Sequence, residues 1–440
     1  MLSTSADVST IVSAPRDWTA APEWFAKLQA DAWKEFESEP APARTDELWR
    51  FSSIKNLALD SYQPASEWSD WDPQFLTGRT FGNPAGRLIF VNERLVSGEI
   101  FDRQLLDLGV RFLSLESALE EYPEFLREHF MAQPVRLGSR KFAALHRASV
   151  RSGSVVFIPR NVEVAQPFEV FHFVGSDRVA VFPHTLVIAE EGSKVTVLEN
   201  FISIDESREG FACGVNDLVA RPGSHLTYIS TQDWSRDFVS IQINSTLADR
   251  DASVLNLSLN FGGKYSRLES VSRMIGSGAR SDMLSISVAS GEQEFDQRTL
   301  QDHLQPNTTS DLLYKNALSD RARTIFSGLI KVEPGAHRTD AYQKVRNLLL
   351  SDEAEANSMP GLEILADDVR CTHGATSGQI EPEELFYLLS RGLPERVAKA
   401  LVVKGFLNEV VDRLPGATLT GHLHEQIAAH LGTEDLGTEG

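Results

Sequence analysis

The chain has 440 residues, long enough for about three domains of ordinary size and for a large buried core. Its 62 Asp and Glu residues outnumber its 42 Lys and Arg residues, and the net charge of −20 argues against nucleic acids and anionic membranes as partners. Two cysteines cannot build a disulfide framework, and they suit a reducing compartment. The N-terminus lacks the apolar segment of a secretion signal, and no apolar run approaches the roughly 18 residues of a membrane helix. Together these features predict a soluble cytoplasmic protein.

The first 150 residues combine helical spacing with one short hairpin pattern. The expected elements are a mobile arm at 1–20, a helix at 22–38, a β-hairpin at 86–100 and further helix at 115–130. The helix at 22–38 is predicted from an apolar stripe of Trp24, Phe25, Leu28, Trp33 and Phe36. We therefore expect residues 1–150 to form an N-terminal helical region that carries a small β-hairpin.

From about residue 151 the pattern changes to short β-rich runs in which apolar and polar residues alternate. Between the runs a turn recurs, in which a polar or Gly/Pro pair precedes one small residue, one polar residue and a strand. We align its small residue at Ser193, Ser224, Ser253, Ala279, Ala322, Ala336 and Ala354. Most spacings between these positions lie near multiples of about 14 residues, as the stacked coils of a β-solenoid require. Residues 151–378 are therefore predicted to form a parallel β-helix, with a two-sheet sandwich as the alternative.

Helical spacing returns in the last part of the chain. Pro382 occupies a first-turn position, where its missing N–H group costs nothing, and acidic residues stand beside it. Residues 379–440 are therefore predicted to form a C-terminal helical domain whose final segment, 433–440, is disordered. Three of its apolar residues are expected to be exposed: Phe386, Leu389 and Phe406. Other apolar residues of this domain should pack against one another and against the last coil of the β-helix.

One short segment, "VRCTHGATSG", places Cys371 two residues before His373, in what is expected to be a loop of small residues. A thiolate and an imidazole are both good ligands for iron, zinc or copper, but two ligands make only half a site. A metal bound there would need further ligands from elsewhere, for example from another subunit. The other interpretations are a buried cysteine beside a histidine that the backbone satisfies, and a thiolate nucleophile.

Other chemical signals in the chain are weaker. Cys213 is predicted to be a buried strand cysteine, and the histidines near the C-terminus do not share one helical face. The Gly-rich segment "GSGARS" is not followed by the GK[ST] of a Walker A phosphate loop, so ATP hydrolysis would belong to a partner. Two enzyme classes remain as alternatives: a β-helix polysaccharide-active enzyme, and a cysteine-nucleophile enzyme that uses Cys371 and His373.

The segment around Cys371 closely resembles the signature of the SufB/SufD family of iron–sulfur cluster assembly proteins. The matching residues are Leu362 to Ile364, Ala366 to Val369, Cys371, His373 to Thr376, Gly378 and Gln379, and then Leu385 to Leu388 and Ser390 to Gly392. Further matches are "SVVFIPRNVEVAQPFEV" and "FAALHRA", where the family usually has Asn in place of His146, so the resemblance spans most of the chain. Gly374 stands where the SufB branch usually carries Glu, which favours the SufD branch of the family.

The resemblance implies an N-terminal helical region, a right-handed parallel β-helix and a C-terminal helical domain. It also implies a non-enzymatic scaffold that pairs with SufB through the β-helix and binds the ATPase SufC through residues 379–440. A nascent iron–sulfur cluster would be built transiently at the SufB–SufD interface, and this chain itself would bind no nucleotide, nucleic acid or membrane. His373 is implied as a metal ligand that the partner subunit completes. Cys371 matches the cysteine of the motif, and its role as a ligand or a buried thiol stays open, as does a homodimer for the isolated chain.

Overall fold

The computed structural model describes residues 21–431, except 44, 58, 60, 61, 66, 67 and 69. The predicted mobile arm at 1–20 and the predicted disordered tail at 433–440 lie outside the described residues. Within these residues the chain forms a long two-sheet β-helix with helices before and after it. No helix in this part of the chain is long and apolar enough to cross a membrane.

Most of the helices before residue 150 share a buried core with the β-helix. The helices of this region are α1 (Glu23–Ser38), α2 (Gln104–Asp107), α3 (Leu115–Glu121), α4 (Pro123–His129) and α5 (Arg140–Ser149), and short 3₁₀ turns span 47–49, 54–57 and 73–76. The helix expected at 22–38 is confirmed, and it buries Phe25 and Phe36 of its apolar stripe. The helix expected at 115–130 is divided before Pro123, because proline cannot donate the hydrogen bond that would continue α3.

Four short strands precede the β-helix. They are β1 (Gln63–Pro64), β2 (Gly86–Val91), β3 (Arg94–Ile100) and β4 (Arg111–Ser114). The predicted hairpin is confirmed, since β2 and β3 pair antiparallel. Its turn residues Asn92 and Glu93 both have positive φ, 45° and 70°, as a tight type I′ turn requires.

The strands of the β-helix follow one another at short intervals. They are β5 (Ser152–Ile158), β6 (Phe168–Val174), β7 (Val179–Val181), β8 (Pro183–Ala189), β9 (Lys194–Ser203), β10 (Gly210–Ala220), β11 (His225–Asp233), β12 (Phe238–Ala248), β13 (Ser253–Asn260), β14 (Tyr265–Met274), β15 (Arg280–Ala289), β16 (Glu294–His303), β17 (Thr309–Leu318), β18 (Arg323–Val332), β19 (Asp340–Leu349), β20 (Glu355–Ile364) and β21 (Arg370–Gly378). Many of them are buried on both faces, as parallel strands usually are.

These strands stack in parallel into two sheets. Sheet A contains β5, β8, β10, β12, β14, β16, β18 and β20, and sheet B contains β6, β9, β11, β13, β15, β17, β19 and β21. Each coil gives one strand to each sheet, so the strand order describes eight coils around an interior that we call the lumen. The predicted parallel β-helix is therefore confirmed, whereas the strands of a sandwich would run antiparallel.

A buried residue stands directly before nearly every strand of sheet B and forms the corner there. Ser193, Ser224 and Ala279 are fully buried in such positions, as the recurring turn predicts. The alignment was wrong by one residue at Ser253, which begins β13, while Ala252 is 1% exposed and occupies the corner. Two adjacent small residues fit the pattern there, and spacing alone could not choose between them.

The two ends of the β-helix differ. At the first coil β4 pairs with β5, and β2 pairs with β6, so further strands cover both sheets. At the last coil no described strand pairs with the outer edge of β20 or β21. Neither strand contains a buried residue. The last coil therefore presents two open strand edges to solvent.

The C-terminal helices α6 (Pro382–Ser390), α7 (Glu395–Val411) and α8 (Ala417–His430) follow the last coil and return along sheet B. Leu407 and Ile427 share a buried cluster with Leu284 of β15. The expectation that apolar residues of this domain pack against one another is confirmed, but packing on the last coil was wrong, because the apolar faces of α7 and α8 cover the middle coils. Phe406 was also wrongly predicted to be exposed: it is half-buried on this cluster.

Candidate metal site at the open end of the β-helix

Cys371 and His373 lie on β21, the last strand of sheet B. The prediction of a loop was wrong: the small residues of this segment suggested a turn, but β21 pairs with β19 along its whole length. Because successive side chains of a strand point to opposite faces, residues two apart share a face. The cysteine and the histidine are therefore brought to the same side of the last strand.

Both side chains face the lumen at its open mouth. In the register of β19 with β21, Cys371 lies opposite Ala341 and His373 lies opposite Gln343. Ala341 packs inside the β-helix with Ile330 of the other sheet, which identifies this face as the lumen side. Since the last coil is uncovered, groups on this face are accessible from the end of the molecule.

Cys371 is the more enclosed of the two residues. It is half-buried and packs against the apolar cluster that contains Val332 and Ala336. Burial and the nearby Asp340 carboxylate raise the pKa of its thiol. A thiol with a raised pKa is a poor nucleophile, because the thiolate is the reactive form. The environment therefore disfavours the cysteine-nucleophile interpretation, and a metal would have to displace the thiol proton in order to bind.

His373 is exposed, and no described residue forms a hydrogen bond with its imidazole ring. Imidazole nitrogen is a common ligand for iron, zinc and copper. Among the described residues, no group of three or more His, Cys, Asp or Glu side chains is arranged to hold a metal ion. Cys371 and His373 together can therefore supply two ligands, and a metal held there would need further ligands.

The other cysteine and the C-terminal histidines lie elsewhere. Cys213 is fully buried on β10, as predicted, and burial raises the pKa of its thiol. Each histidine of α8 has a neighbour of its own: His422 packs edge-on against Phe81, His424 lies 3.4 Å from Asp412, and His430 stacks on Phe261. These contacts fasten α8 to its surroundings and do not bring the histidines together.

Two open grooves lie beside α8 on the outer face of sheet B. Their volumes are about 610 and 350 Å³, and residues of sheet B line both of them. Neither groove is lined by Cys371 or His373. The candidate metal site is therefore an exposed edge rather than an enclosed pocket, which suits a site that a second molecule completes.

One residue beside the candidate metal site, Gln343, was not predicted from the sequence. It lies beneath His373 on the neighbouring strand, and it is completely buried. The only signal in the sequence is a glutamine on the lumen side of the alternating segment "AYQKVRN". That signal has meaning only when the register of β19 with β21 is known.

Comparisons with known families identify both parts of the fold. Residues 172–406 match the family model described as SUF system FeS cluster assembly, SufBD core domain. Residues 19–170 match the model of the SufBD protein N-terminal region. The core match alone covers more than half of the chain, and the boundary between the two matches falls within the first coils of the β-helix.

Individual relatives cover nearly the same length. The iron-sulfur cluster assembly protein SufD of Bacillus subtilis (strain 168) is 29% identical over 90% of this chain and 91% of its own. A SufBD family protein of Staphylococcus epidermidis (strain ATCC 12228) is 26% identical over 90% of this chain and 86% of its own. One from Staphylococcus aureus (strain MRSA252) is 25% identical over the same shares. The similarity thus extends through the helical regions as well as the β-helix.

Proposed function

Because the chain belongs to the SufBD family of iron–sulfur cluster assembly proteins, we propose that it is the SufD-type component of an assembly scaffold. In this proposal it pairs with a SufB-type paralogue through its last coil, and a transient iron–sulfur cluster is built between the two proteins as their product. A SufC-type ATPase binds the C-terminal helices and hydrolyses ATP, so the chain itself is not an enzyme. The complex works in the cytoplasm.

The observation that carries the proposal is the open last coil. Its two strand edges offer unpaired N–H and C=O groups, which another strand can extend. Apolar side chains stand beside these edges: Leu362, Ile364 and Leu365 are 38%, 41% and 51% exposed. A paralogue with the same fold would end in a similar coil, and joining the two ends would cover the apolar side chains of both. Without the paralogue, the same edges would join two copies of this chain.

Such a junction would bring His373 and Cys371 into the interface. They supply two ligands, an imidazole and a thiol, which are types that iron accepts. The lack of a larger ligand group among the described residues fits a cluster that is shared and then released, since an incomplete site holds its product only while the partner is present. His373 is the more accessible ligand, and Cys371 must first lose its proton.

Helix α6 is the best candidate for the ATPase contact. It has no buried residue, and Phe386 and Tyr387 are 70% and 57% exposed. Leu389 on the same helix is 37% exposed. Clusters of exposed apolar side chains are found at protein interfaces more often than on the rest of a protein surface. Helices α7 and α8, in contrast, use their apolar faces on sheet B.

The proposal is tested by co-expressing the tagged chain with a SufB-type paralogue and a SufC-type ATPase. Removing residues 380–440 would expose Leu284 and its buried neighbours, so a point substitution is the sharper test. We expect Phe386→Asp to abolish recovery of the ATPase and to leave the paralogue bound. Leu106→Asp, on α2 and 45% exposed, is the matched control and should recover both. Recovery of the ATPase by Phe386→Asp at the control level would contradict this part of the proposal.

A further inference from the structure

Gln343 lies directly beneath His373 in the register of β19 with β21. Neighbouring strands are about 4.8 Å apart, and both side chains face the lumen, so they are stacked neighbours. Gln343 is 0% exposed, whereas His373 lies at the surface. At this position of the coil, Gln343 is therefore the first buried side chain below the open mouth.

The amide group of Gln343 is unsatisfied. Neither its Nε2 nor its Oε1 atom has a hydrogen-bond partner among the described residues. Across the lumen, Gly328 leaves room for this amide, because a Cβ atom there would lie 2.1 Å from Nε2 and 2.6 Å from Oγ1 of Thr299. The Thr299 hydroxyl is also buried without a partner in the described part of the chain. Two unpaired polar atoms, Nε2 of Gln343 and Oγ1 of Thr299, therefore lie beside Gly328.

An unpaired buried amide costs free energy that an apolar side chain of the same size would avoid. Two lumen amides of the last coils are satisfied: Asn316 donates to Asn347, and Asn347 donates to Ser377. Gln343 differs from Gln297 and Gln301, which lack a partner only for Oε1, because both atoms of its amide are unpaired, and it lies beside the exposed ring of His373. The two unsatisfied groups can therefore satisfy each other.

We propose that Gln343 is a positioning residue for His373: its Oε1 atom accepts a hydrogen bond from the Nδ1–H group of the imidazole and directs Nε2 outward, toward iron. Histidines that bind metals almost always donate their other ring N–H group to a carbonyl or carboxylate oxygen, which fixes the tautomer and the ring orientation. The proposed bond requires the exposed His373 ring to turn toward the buried Gln343 amide on the neighbouring strand. This inference rests on the proposed function only for the identity of the metal.

The first test reads the tautomer of His373 in the isolated full-length chain by NMR of ¹⁵N-labelled imidazole, with His373→Ala for assignment. A free neutral imidazole prefers the Nε2–H form, whereas the proposed bond selects Nδ1–H. Gln343→Leu has a similar volume but no amide, and should return His373 to the Nε2–H form. Gln343→Glu keeps an acceptor and should retain Nδ1–H.

Thr299→Val is the matched control, because it removes an unpaired hydroxyl from the same space but lies on β16 of the opposite sheet from His373. It should leave the Nδ1–H form unchanged. If His373 in the wild-type chain is mainly in the Nε2–H form, or if Gln343→Leu does not change the tautomer, the inference is overturned. A Gln343 that only anchors water in the lumen would give the second of these results.

The second test measures how long the cluster of the partner complex survives a chelator. Loss of a hydrogen bond behind a ligand typically costs about 10- to 100-fold in metal affinity. We expect Gln343→Leu to shorten the cluster lifetime by about tenfold, while Gln343→Glu and Thr299→Val keep it. An unchanged lifetime in Gln343→Leu, with loss of the cluster in His373→Ala, would overturn this inference alone. A full cluster in His373→Ala would instead contradict the proposed function. The tautomer result would still show whether His373 forms a hydrogen bond with Gln343.

Discussion

Two buried histidines tie α5 to sheet A. The Nδ1–H group of His146 donates to the carbonyl oxygen of Cys213 at 2.7 Å, and Nε2 lies 3.3 Å from Nδ1 of His184. Burial lowers the pKa of His146 to about 4 and holds that of His184 well below its usual range. Asp217 lies 3.6 Å from His184, and burial raises the pKa of its carboxyl to about 7. The fold therefore keeps both rings neutral near pH 7.

We predict that His146→Asn removes part of the loss of stability in acid. Below its ordinary pKa of 6.5 the unfolded His146 takes up a proton, whereas the folded residue stays neutral down to about pH 4. The unfolded state therefore binds more protons in this window, and stability falls as the pH falls through it. The shift corresponds to roughly 3 kcal/mol. The Asn amide can donate to the same carbonyl, so packing is kept.

The measurement is urea unfolding of both proteins at pH 7 and pH 4. The drop in unfolding free energy between these pH values should be smaller in the variant by roughly 3 kcal/mol. His184 and Asp217 are common to both proteins, so they do not produce this difference by themselves. Parallel pH profiles of the two proteins would show that His146 is not the group responsible.

Thiol titration separates the two cysteines. We predict that an aromatic disulfide reagent modifies one thiol, Cys371, in the folded protein, and that Cys213 reacts only after unfolding because it is 0% exposed. Reaction of Cys371 should accelerate with pH along a profile whose midpoint lies above that of a free thiol, because burial and Asp340 raise its pKa. Cys371→Ala is the control and should leave no reactive thiol before unfolding. A profile with its midpoint below that of a free thiol would revive the nucleophile interpretation.

At this scale the sequence predicted the proximity of Cys371 and His373 better than their setting, and their role as metal ligands stays a prediction. The spacing of Cys371 and His373 indicated a pair of metal-binding groups, and the structure brings them to one face of a strand. The small residues after His373 suggested a loop, because local composition does not contain the pairing with β19. Gln343 could not be predicted at all, since its significance depends on which residue lies above it in the next coil.

At the scale of elements, one carboxylate fastens α7 to sheet B. Glu409 lies 2.6 Å from Nζ of Lys315, 3.6 Å from the Arg346 guanidinium and 3.8 Å from Nζ of Lys344. The hydrogen bond from Lys315 lowers the pKa of the Glu409 carboxyl, which keeps it charged. The side chain of Lys315 is only 2% exposed, and its ammonium group also lies 4.4 Å from the centre of the Phe406 ring. α7 is thus held by charge as well as by its apolar face.

We predict that Glu409→Gln loosens α7. The substitution leaves the buried Lys315 ammonium without its closest counter-charge. Glu409 is itself 41% exposed, so solvent screens part of the attraction, and the expected loss is about 1–2 kcal/mol. Glu395→Gln on the same helix breaks an exposed pair with Lys399 and is the control, with an expected loss of at most about 0.5 kcal/mol.

Urea unfolding and limited proteolysis between α6 and α7 measure this difference. Faster cleavage and a lower unfolding free energy in Glu409→Gln than in Glu395→Gln are the expected results. Equal stability and equal cleavage of the two variants would mean that the apolar contacts alone hold α7 in place.

The helices themselves were predictable, but their packing partners were not. The apolar stripe at 22–38 and the proline near 382 placed α1 and α6 within a few residues of their bounds. An apolar face shows that a helix packs against something, and it does not say what. For this reason the sequence could not show that α7 and α8 return to the middle coils. It also could not show that Phe406 is half-buried on the apolar cluster that these helices form with sheet B.

At the scale of the whole molecule, the β-helix is capped at one end and open at the other. The hairpin β2–β3 and strand β4 cover the first coil, while β20 and β21 have no strand beyond them in the described residues. Repeat proteins need a cap at each end in order to stay soluble and monomeric. In the proposed pairing, the second protein would supply the cap that the last coil lacks in the described residues.

The parallel β-helix could be predicted from the recurring small corner residues, because stacked coils impose the same steric limit at each turn. The number of coils could not, since corners formed by larger residues such as Gln293 and Thr308 do not show the pattern. The difference between the two ends was also out of reach, because it depends on where the hairpin pairs. These features emerge only from contacts between distant parts of the chain.

We predict that Ile364→Lys prevents assembly with the SufB-type paralogue. Ile364 is 41% exposed beside the open edge of β20, so the change should cost the isolated chain roughly 1 kcal/mol or less and leave its fold intact. A buried, unpaired ammonium group in the joined end would be far more costly. Leu108→Lys, at 55% exposure in the N-terminal region, is the control. Light scattering after gel filtration should show the complex with the control and free chains with Ile364→Lys; a complex with both would place the interface elsewhere.

The measurement that tests the central claim most directly is the iron and sulfide content of the co-purified complex that carries His373→Ala. The alanine removes an exposed ring that makes no hydrogen bond with any described residue, so fold and assembly should persist and the elution volume should match wild type. We predict that the cluster content falls at least about tenfold, because loss of the ligand itself should cost no less than loss of a hydrogen bond behind it. Cys371→Ala in the same complex shows whether the thiol is a second ligand, with an equal loss, or a packing residue, with a smaller one. Wild-type iron and sulfide in an intact His373→Ala complex would contradict the account.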